Sequence, residues 1–444
     1  MMDFNEFVQV CFKTAKALGC DEAEAYMESD EHIELGVLDG EVINYSVNRE
    51  RGMNLRIMYG GRNGYAYTEA FDDAERLVFH AMDNAKAIEN DDVHPVQGAC
   101  AYPSVEVKPN TVANMTDDEK INIARNLEKD FMAFDDRVNR MSRCELYSGK
   151  HCVHIRNTRG LCADREICCS YLIAVPILRQ GDEERSSYSL LFCHDITDYN
   201  DFIKETVDNA LMTFNAKPVD SGEYRVLIRN DAAVDFLNSF CELFYADKVQ
   251  EGLSLLAGKL NKRIASEAVS IVDDPFESDY PRAFDDEGVP SVLTNVVENG
   301  VLKSYLYNLK TALKDGVAST SNAGRVYVAA PVATMPSNFY IKNGEKSYKE
   351  LIEELDSGLI ITELGGLHAG IDAVSGDFSL LAAGLLVDGG SIIRSVEQIT
   401  IAGNFLSLLN GIIAVGNDLR FRIPELGRVG SPSLLIDKIV VSGK

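Results

Sequence analysis

Residues 361–421 read ITELGGLHAGIDAVSGDFSLLAAGLLVDGGSIIRSVEQITIAGNFLSLLNGIIAVGNDLRF. Short apolar runs alternate with glycine-centred turns, and the polar residues at those turns are Ser, Asp and Asn. Such runs, bounded by turn formers, predict strands rather than long helices. One part needs a membrane check. Residues 399–417 carry no charge over 19 positions, close to a spanning length. They contain Asn404, Asn410, Asn417, Gly403, Gly411 and Gly416, which are costly in lipid. The pieces ITIAG, FLSLLNG and IIAVG predict a strand, a short helix and a strand. The stretch is read as part of a β-rich domain and not as a membrane span.

The whole chain has 444 residues, enough for two domains. Lys and Arg number 43 against 69 Asp and Glu, a formal charge of −26. Acidity on this scale repels phosphate backbones and anionic lipid, so nucleic acid and membrane are not expected partners. The densest basic run, Arg137 to Arg143, is interrupted by apolar and polar residues. Ten cysteines follow an N-terminus without a basic-then-apolar leader. The expected setting is the cytoplasm, with reduced thiols.

Read in order, Phe4, Phe7, Cys11, Ala15 and Leu18 predict an amphipathic helix. Alternation at Ile33, Leu35 and Val37 predicts a strand, and Asp39-Gly40 a tight turn into the next. A further hairpin turns at Gly60-Gly61, and a helix covers 74–87. Thr116 and Glu119 have capping-box spacing before a helix with its apolar stripe at Ile121, Ala124, Leu127 and Phe131. Strands are expected from Val138 to Ile196, with turns at Ser148-Gly149 and Arg159-Gly160, then a helix over 202–214. Lys217-Pro218 and Ser221-Gly222 mark a boundary. Beyond it come a strand at 224–230, a helix over 232–249, an acidic loop, and a hairpin turned at Asn299-Gly300. No glycine fingerprint opens a βαβ unit, so a doubly wound nucleotide fold is not expected.

Several clusters invite a chemical reading. His151, Cys152, His154, Cys162, Cys168 and Cys169 lie close in sequence, and on a strand Cys152 and His154 share a face. No C-x-x-C pair or H-E-x-x-H helix accompanies them, so they read as ordinary strand residues. Cys168 and Cys169 would face opposite sides of a strand, as core thiols. His368, Ser375 and Asp377 hold the residue types of a triad but lack a nucleophile elbow, and they fit turns equally well. The glycines of 365–370 lack the Lys-Ser/Thr of a phosphate loop. Asp273, Asp274, Glu277, Asp279, Asp285, Asp286 and Glu287 lack the spacing of a calcium loop, and predict a solvated acidic loop.

Longer segments carry a resemblance. They are GLSLLAGKLNKRIASEAVSIVDDP (252–275), AFDDEGVPS (283–291), ENGVLKSYLYNLKTA (298–312), TSNAGR (320–325), GLHAGIDAVSGDFSLLAAGLLVDGG (366–390), ITIAGN (399–404), AVGNDL (414–419) and GSPSLLI (430–436). Together they resemble the TldD/PmbA family, also called peptidase U62 or "modulator of DNA gyrase". RGMNLRIMYGGRNGYAYT (51–68) agrees more loosely. The resemblance implies an α+β fold. An N-terminal helix and antiparallel-sheet domain (1–220) would precede a β-rich C-terminal domain (221–444) with a curved or barrel-like sheet.

It also implies two branches acting as a heterodimeric metalloprotease. The TldD-like subunit carries H-E-x-x-x-H on a helix, plus a later cysteine, as zinc ligands; the PmbA/TldE-like subunit lacks them. The corresponding segment here, 232–249, has no histidine, and none occurs between His194 and His368. The last cysteine is Cys241. Asn238, Ser239, Glu242 and Leu243, where the motif would fall, cannot replace imidazole or thiolate. The resemblance therefore implies the branch without metal or cofactor, with zinc in a TldD-like partner, acting on unfolded peptides or peptide-antibiotic precursors. Two other readings remain open. One is an autonomous hydrolase using His368 or an unrecognised metal. The other is a homodimeric scaffold without proteolysis.

Overall fold

The computed structural model describes residues 2–88, 94–277, 280–421 and 427–444. The chain divides into two compact units. The first is Met1–Phe214 with Tyr327–Pro331; the second is Asn215–Val326 with Val332–Lys444.

The first unit opens with α1 (Phe4–Ala17), capped by the Asp3 carboxylate on the Glu6 amide and burying Phe7, Val8, Cys11 and Ala15. β1 (Glu22–Leu38) and β2 (Glu41–Tyr59) form a long hairpin. Its turn places Asp39 and Gly40 at φ of 54° and 75°, as a two-residue primed turn requires. β3 (Arg62–Thr68) follows the Gly60-Gly61 turn, and α2 (Ala74–Ala87) packs behind. α3 (Asp117–Phe134) starts at the expected Thr116/Glu119 capping box. β4 (Val138–Asn157), β5 (Cys162–Gln180), β6 (Glu183–Ser186), β7 (Ser189–Phe192) and α4 (Asn200–Leu211) complete the unit.

These strands make one antiparallel sheet of order β3-β2-β1-β4-β5-β6, with β7 also on β5. Two cores lie on it. Phe7, Leu55, Ile57, Phe71 and Val78 join α1 and α2 to one end. Leu35, Leu146, Leu172, Phe131 and Val207 join α3 and α4 to the other. Alternate residues Asp30, His32, Tyr147 and His151 point to the opposite face, since successive side chains in a strand alternate.

The expected turn at Ser148-Gly149 is absent, because β4 runs straight through it. Gly149 pairs with His32 on β1 and Cys169 on β5. A Cβ there would stand 2.8 Å from the Tyr147 hydroxyl and 2.9 Å from the His32 Cβ. The glycine makes room inside a strand for neighbouring rings, which sequence alone does not separate from a turn.

The second unit begins with β8 (Gly222–Ile228) and α5 (Asn230–Ser239). A 3₁₀ turn (Cys241–Phe244) and α6 (Ala246–Gln250) follow. The single helix expected over 232–249 is thus broken twice, at Phe240 and Tyr245. Tyr245 is extended at φ −79°, ψ 131°. It makes an isolated bridge to Leu306, so strand pairing interrupts the helix. Next come β9 (Ile271–Asp273), β10 (Thr294–Glu298), β11 (Val301–Leu302), α7 (Leu309–Asp315), β12 (Ala323–Gly324), β13 (Ala333–Thr334), β14 (Asn338–Ile341) and α8 (Tyr348–Leu355). β15 (Gly358–Gly365), β16 (Asp377–Asp388), β17 (Ser391–Asn404), α9 (Phe405–Gly411), β18 (Ile412–Val415), β19 (Arg420–Phe421), β20 (Arg428–Ser431) and β21 (Leu434–Ser442) end the chain.

The fold is α+β, and its C-terminal region is strand-rich with a closed barrel. β17-β16-β15-β8-β21 pair in that order, and β17 pairs again with β21 through Ile401 and Val441, which closes five strands on themselves. Val226, Ile228, Leu359, Ile361 and Ile401 enter the main core. The alternate residues Leu227, Ile360 and Leu435 pack on Leu351 and Leu355 of α8. A second sheet runs β11-β10-β9-β14-β20-β19. Residues 399–417 are the strand, short helix and strand expected, and among the described residues no helix is long and apolar enough to cross a membrane.

β15 and β16 come close at Gly384, beside a shift in their register, and a Cβ there would lie 1.8 Å from the Ile360 carbonyl oxygen. Gly384→Ala is expected to cost about 2–3 kcal/mol, since backbone must move to admit the methyl. An unchanged urea midpoint would show that the pair separates freely.

Candidate functional site

The site implied by the resemblance is α5 and the turn after it. Arg229 precedes α5 and pairs with Asp231 at 2.6 Å. The inward stripe of the segment is apolar. Phe236 meets Phe378 edge-on at 5.0 Å, Phe240 stacks on Phe405 at 4.4 Å, and Phe244 lies 5.1 Å from Phe339. Cys241 is buried there, and burial raises its thiol well above the ordinary range. Such a thiol is protonated and inert. Of the positions where zinc ligands would fall, Asn238 and Glu242 are exposed, Ser239 is half-buried and donates to the Asp235 carbonyl at 2.8 Å, and Leu243 is core. A zinc ion does not fit this donor set.

The acidic loop is solvated only in part: Glu277 is exposed and Asp274 half-buried, whereas Asp273, Asp285, Asp286 and Glu287 are buried. Asp279 lies outside the described residues. Asp274 accepts from the Phe276 amide at 3.0 Å. Asp273, Asp285 and Glu287 are within 1% of complete burial, and Asp286 is also buried. They escape water because backbone amides and polar side chains replace it. Asp285 accepts from the Glu287 and Val289 amides at 3.0 and 2.9 Å, and from the Ala323 amide at 3.0 Å. Asp286 accepts from the Arg325 amide at 3.1 Å. Glu287 accepts at 2.8 Å from Leu309, the first residue of α7, where a negative charge suits the helix end. Asp273 takes the Ser337 amide and hydroxyl at 2.8 and 2.7 Å and the Asn322 amide group at 2.8 Å. Burial, then the neighbouring Glu287 charge, pushes Asp285 up to about 7. Burial likewise raises Asp273, against the opposing charge of Arg282 and these hydrogen bonds. The buried members of the cluster hold loops together.

His368, Ser375 and Asp377 do not form a triad. His368 is exposed on the turn after β15 and makes no hydrogen bond or ion pair among the described residues. Ser375 Oγ accepts from the Asp377 amide at 3.2 Å, and Asp377 accepts from Asn404 at 2.9 Å. Asp372 takes the Val374 and Ser375 amides at 2.9 and 3.1 Å. All but His368 serve the turn.

In the first unit, Cys152 and His154 share a face and are drawn to different partners. The Cys152 thiol is 3.9 Å from Glu166, and His154 Nδ1 is 2.5 Å from Asp164. Cys168 and Cys169 pair with Lys150 and Gly149 on opposite faces, half-buried rather than core. Sequence reading missed a neighbouring network on the other face. His32 Nδ1 bonds to Asp30, Asn48 Nδ2 lies 3.0 Å from His32 Nε2, and the His32 ring stacks on Tyr147 at 5.2 Å. His151 Nδ1 is 3.8 Å from Asp30, whose carboxyl is held low by His151 and, less strongly, by His32. Register was the missing signal: Asp30 faces His151 only when β1 and β4 pair as they do. Among the described residues no group of three or more His, Cys, Asp or Glu could hold a metal ion.

Comparison with known proteins places this geometry. The pattern described as PmbA/TldA metallopeptidase C-terminal domain matches residues 221–443. Domain 1 of the same family matches 23–85, and its central domain 110–214. The chain is 24% identical to Metalloprotease PmbA of Escherichia coli O157:H7, covering 96% of this chain and 93% of that one. A solved Thermotoga maritima structure, named as a modulator of a DNA gyrase, superposes with a TM-score of 0.90 at 32% identity, over 99% of this chain and 100% of that one. TldE from Thermococcus kodakarensis shares the fold at a TM-score of 0.89 and 21% identity, over 98% and 100%.

The raised Asp285 has a consequence with a definite sign. Between about pH 4 and pH 7 the folded chain holds a proton there that the unfolded chain has released, so this group's contribution to stability is present at low pH and is lost as pH rises through 7. Asp285→Asn removes the proton exchange. The stability advantage of the natural protein over that variant, read from urea curves, is expected to shrink from pH 5 to pH 7.5. A constant gap would show that Asp285 does not titrate there.

Proposed function

The chain belongs to the PmbA/TldD metallopeptidase family, and on that premise we propose that it is the metal-free, PmbA/TldE-like subunit of a two-chain protease. Its partner would be a TldD-like chain carrying H-E-x-x-x-H and the zinc. The observation that carries this reading is the chemistry of 230–250. Asn238, Ser239, Glu242 and Leu243 stand where imidazoles would be needed, and the inward side of the segment is committed to the aromatic core. A zinc protease needs ligands that hold the ion and lower the pKa of its water. This segment has neither an imidazole nor an ionised thiol to offer.

What remains for the chain is binding and enclosure. An unfolded peptide is recognised through its main chain, which sheet edges and extended surfaces can pair without reactive side chains. Peptide-antibiotic precursors fall in the same substrate class. Four of the ten cysteines, Cys11, Cys144, Cys193 and Cys241, are buried, which suits a reducing compartment such as the cytoplasm. The −26 charge gives no support to DNA contact despite the name borne by one relative.

Co-expression with a TldD-like chain tests the proposal. The two chains are expected to co-purify, with zinc and peptidase activity present only when the H-E-x-x-x-H chain is present and lost on chelation. Equal peptide hydrolysis by that chain alone would overturn it, as would stoichiometric zinc on this chain alone. His368→Ala is expected to leave the activity of the pair within about twofold, since an exposed side chain without partners contributes little. Abolished activity with the pair still assembled would make His368 functional.

A further inference from the structure

The first unit contains a cleft of about 900 Å³ between α1 and the turn joining β4 to β5. Phe12, half-buried, gives it apolar surface, with Val8 and Leu161 buried beneath. Four cations line it, Lys13 and Lys16 from α1, Arg156 from the end of β4, and Arg159 from the turn. The acidic residues lining it are Asp21 and Glu22. In a chain of net charge −26, a cavity with four cations against two carboxylates is a local reversal of sign.

The two pairs of cations differ. Arg156 is engaged by Asp164 at 2.9 Å and by the carbonyls of Ile155 and Ala163. Arg159 donates to the Val96 carbonyl at 2.9 Å and lies 3.8 Å from Glu22. Lys13 and Lys16 have no ion-pair or hydrogen-bond partner among the described residues. Lys16 sits in the last turn of α1, where a cation suits the helix end. Lys13 lies a turn earlier, beyond the reach of that effect.

We propose that this cleft binds an acidic, partly apolar stretch of the unfolded polypeptide substrate. The inference rests on the reading of the chain as a peptide-handling subunit and adds the chemical class of what it holds. The cations are spread over two walls, and the arginine forks are already occupied. That arrangement does not converge on one phosphate or one small carboxylate, which favours a fork aimed at a single point. It suits a chain bearing several carboxylates at intervals, with an apolar side chain between them laid on Phe12. Exposure of the lysines makes the attraction dependent on salt.

The test uses the full-length protein and a fluorescein-labelled peptide alternating Glu with Leu, read by anisotropy. A peptide with Lys for each Glu is the control. The acidic peptide is expected to bind at least about tenfold more tightly than the control, and less tightly as salt rises. Lys13→Glu with Lys16→Glu is expected to weaken it by about tenfold or more, and the Lys13→Gln, Lys16→Gln pair by less. Both lysines are exposed, so an unchanged circular-dichroism melt will show that the fold is kept. Equal binding of the two peptides, or undiminished binding by the charge-reversed variant, overturns the proposal. Citrate binding as tightly as the peptide overturns it too, by making this a site for small anions. Co-purification with the TldD-like chain is scored separately. If the pair assembles but the acidic peptide does not bind, this inference fails and the subunit reading stands.

Discussion

Carboxylates removed from water, and repaid in hydrogen bonds, tie together the irregular part of the second unit. Taking an ionised carboxylate into a protein interior costs several kcal/mol unless its lone pairs are met. Asp285 meets three backbone amides, one from Ala323 on a segment distant in sequence. Asp286 reaches Arg325, Glu287 reaches the start of α7, and Asp273 reaches Ser337 and Asn322. Residues 283–291 and 320–325 thereby fix one another. These loops have too little regular structure to satisfy their own amides, and the acids do it for them. Two of the segments by which the family is recognised are thus the two sides of this junction.

The barrel supplies the other constraint. Five strands close because β17 meets β21 as well as β16, which leaves no free edge on that circuit. α5 packs against this frame through Phe236, Phe378 and Phe405. The inward side of the segment is thereby committed to aromatic packing, and Asn238 and Glu242 lie on its exposed side. In the first unit a buried pair, Glu24 and Arg56 at 3.1 Å, spans β1 and β2, with Asn157 donating to the same Glu24 carboxylate. Its charges are likewise met by cross-strand neighbours.

Much of the fold was legible because local rules and tertiary packing agree. The Asp39-Gly40 and Asn299-Gly300 turns need left-handed backbone, and the residues that adopt it most easily stand there. The Thr116 cap, the apolar stripe of α3 and the strand–helix–strand reading of 399–417 needed no distant contact. α8 was legible too, through the Ser347/Glu350 capping box, but was missed among the strands around it. Reading failed where a residue type serves two purposes. Gly149 looked like a turn and is a space inside a strand. The helix over 232–249 kept its apolar spacing through a 3₁₀ turn and an extended Tyr245. The acidic run looked like a solvated loop because charge density normally marks a surface.

The sequence by itself determined the α+β class, the two-part organisation of helix-with-sheet and strand-rich halves, and the absence of histidine along 230–250. These follow from periodicity, turn chemistry and residue identity, all of which are local. Tertiary structure alone decided which acids are buried, that Asp30 meets both His32 and His151, and that Lys13, Lys16, Arg156 and Arg159 line one cleft. Each depends on register or on loops meeting across long stretches of chain. The free energy of a charged side chain is set by what surrounds it, and those surroundings do not exist until the chain has folded.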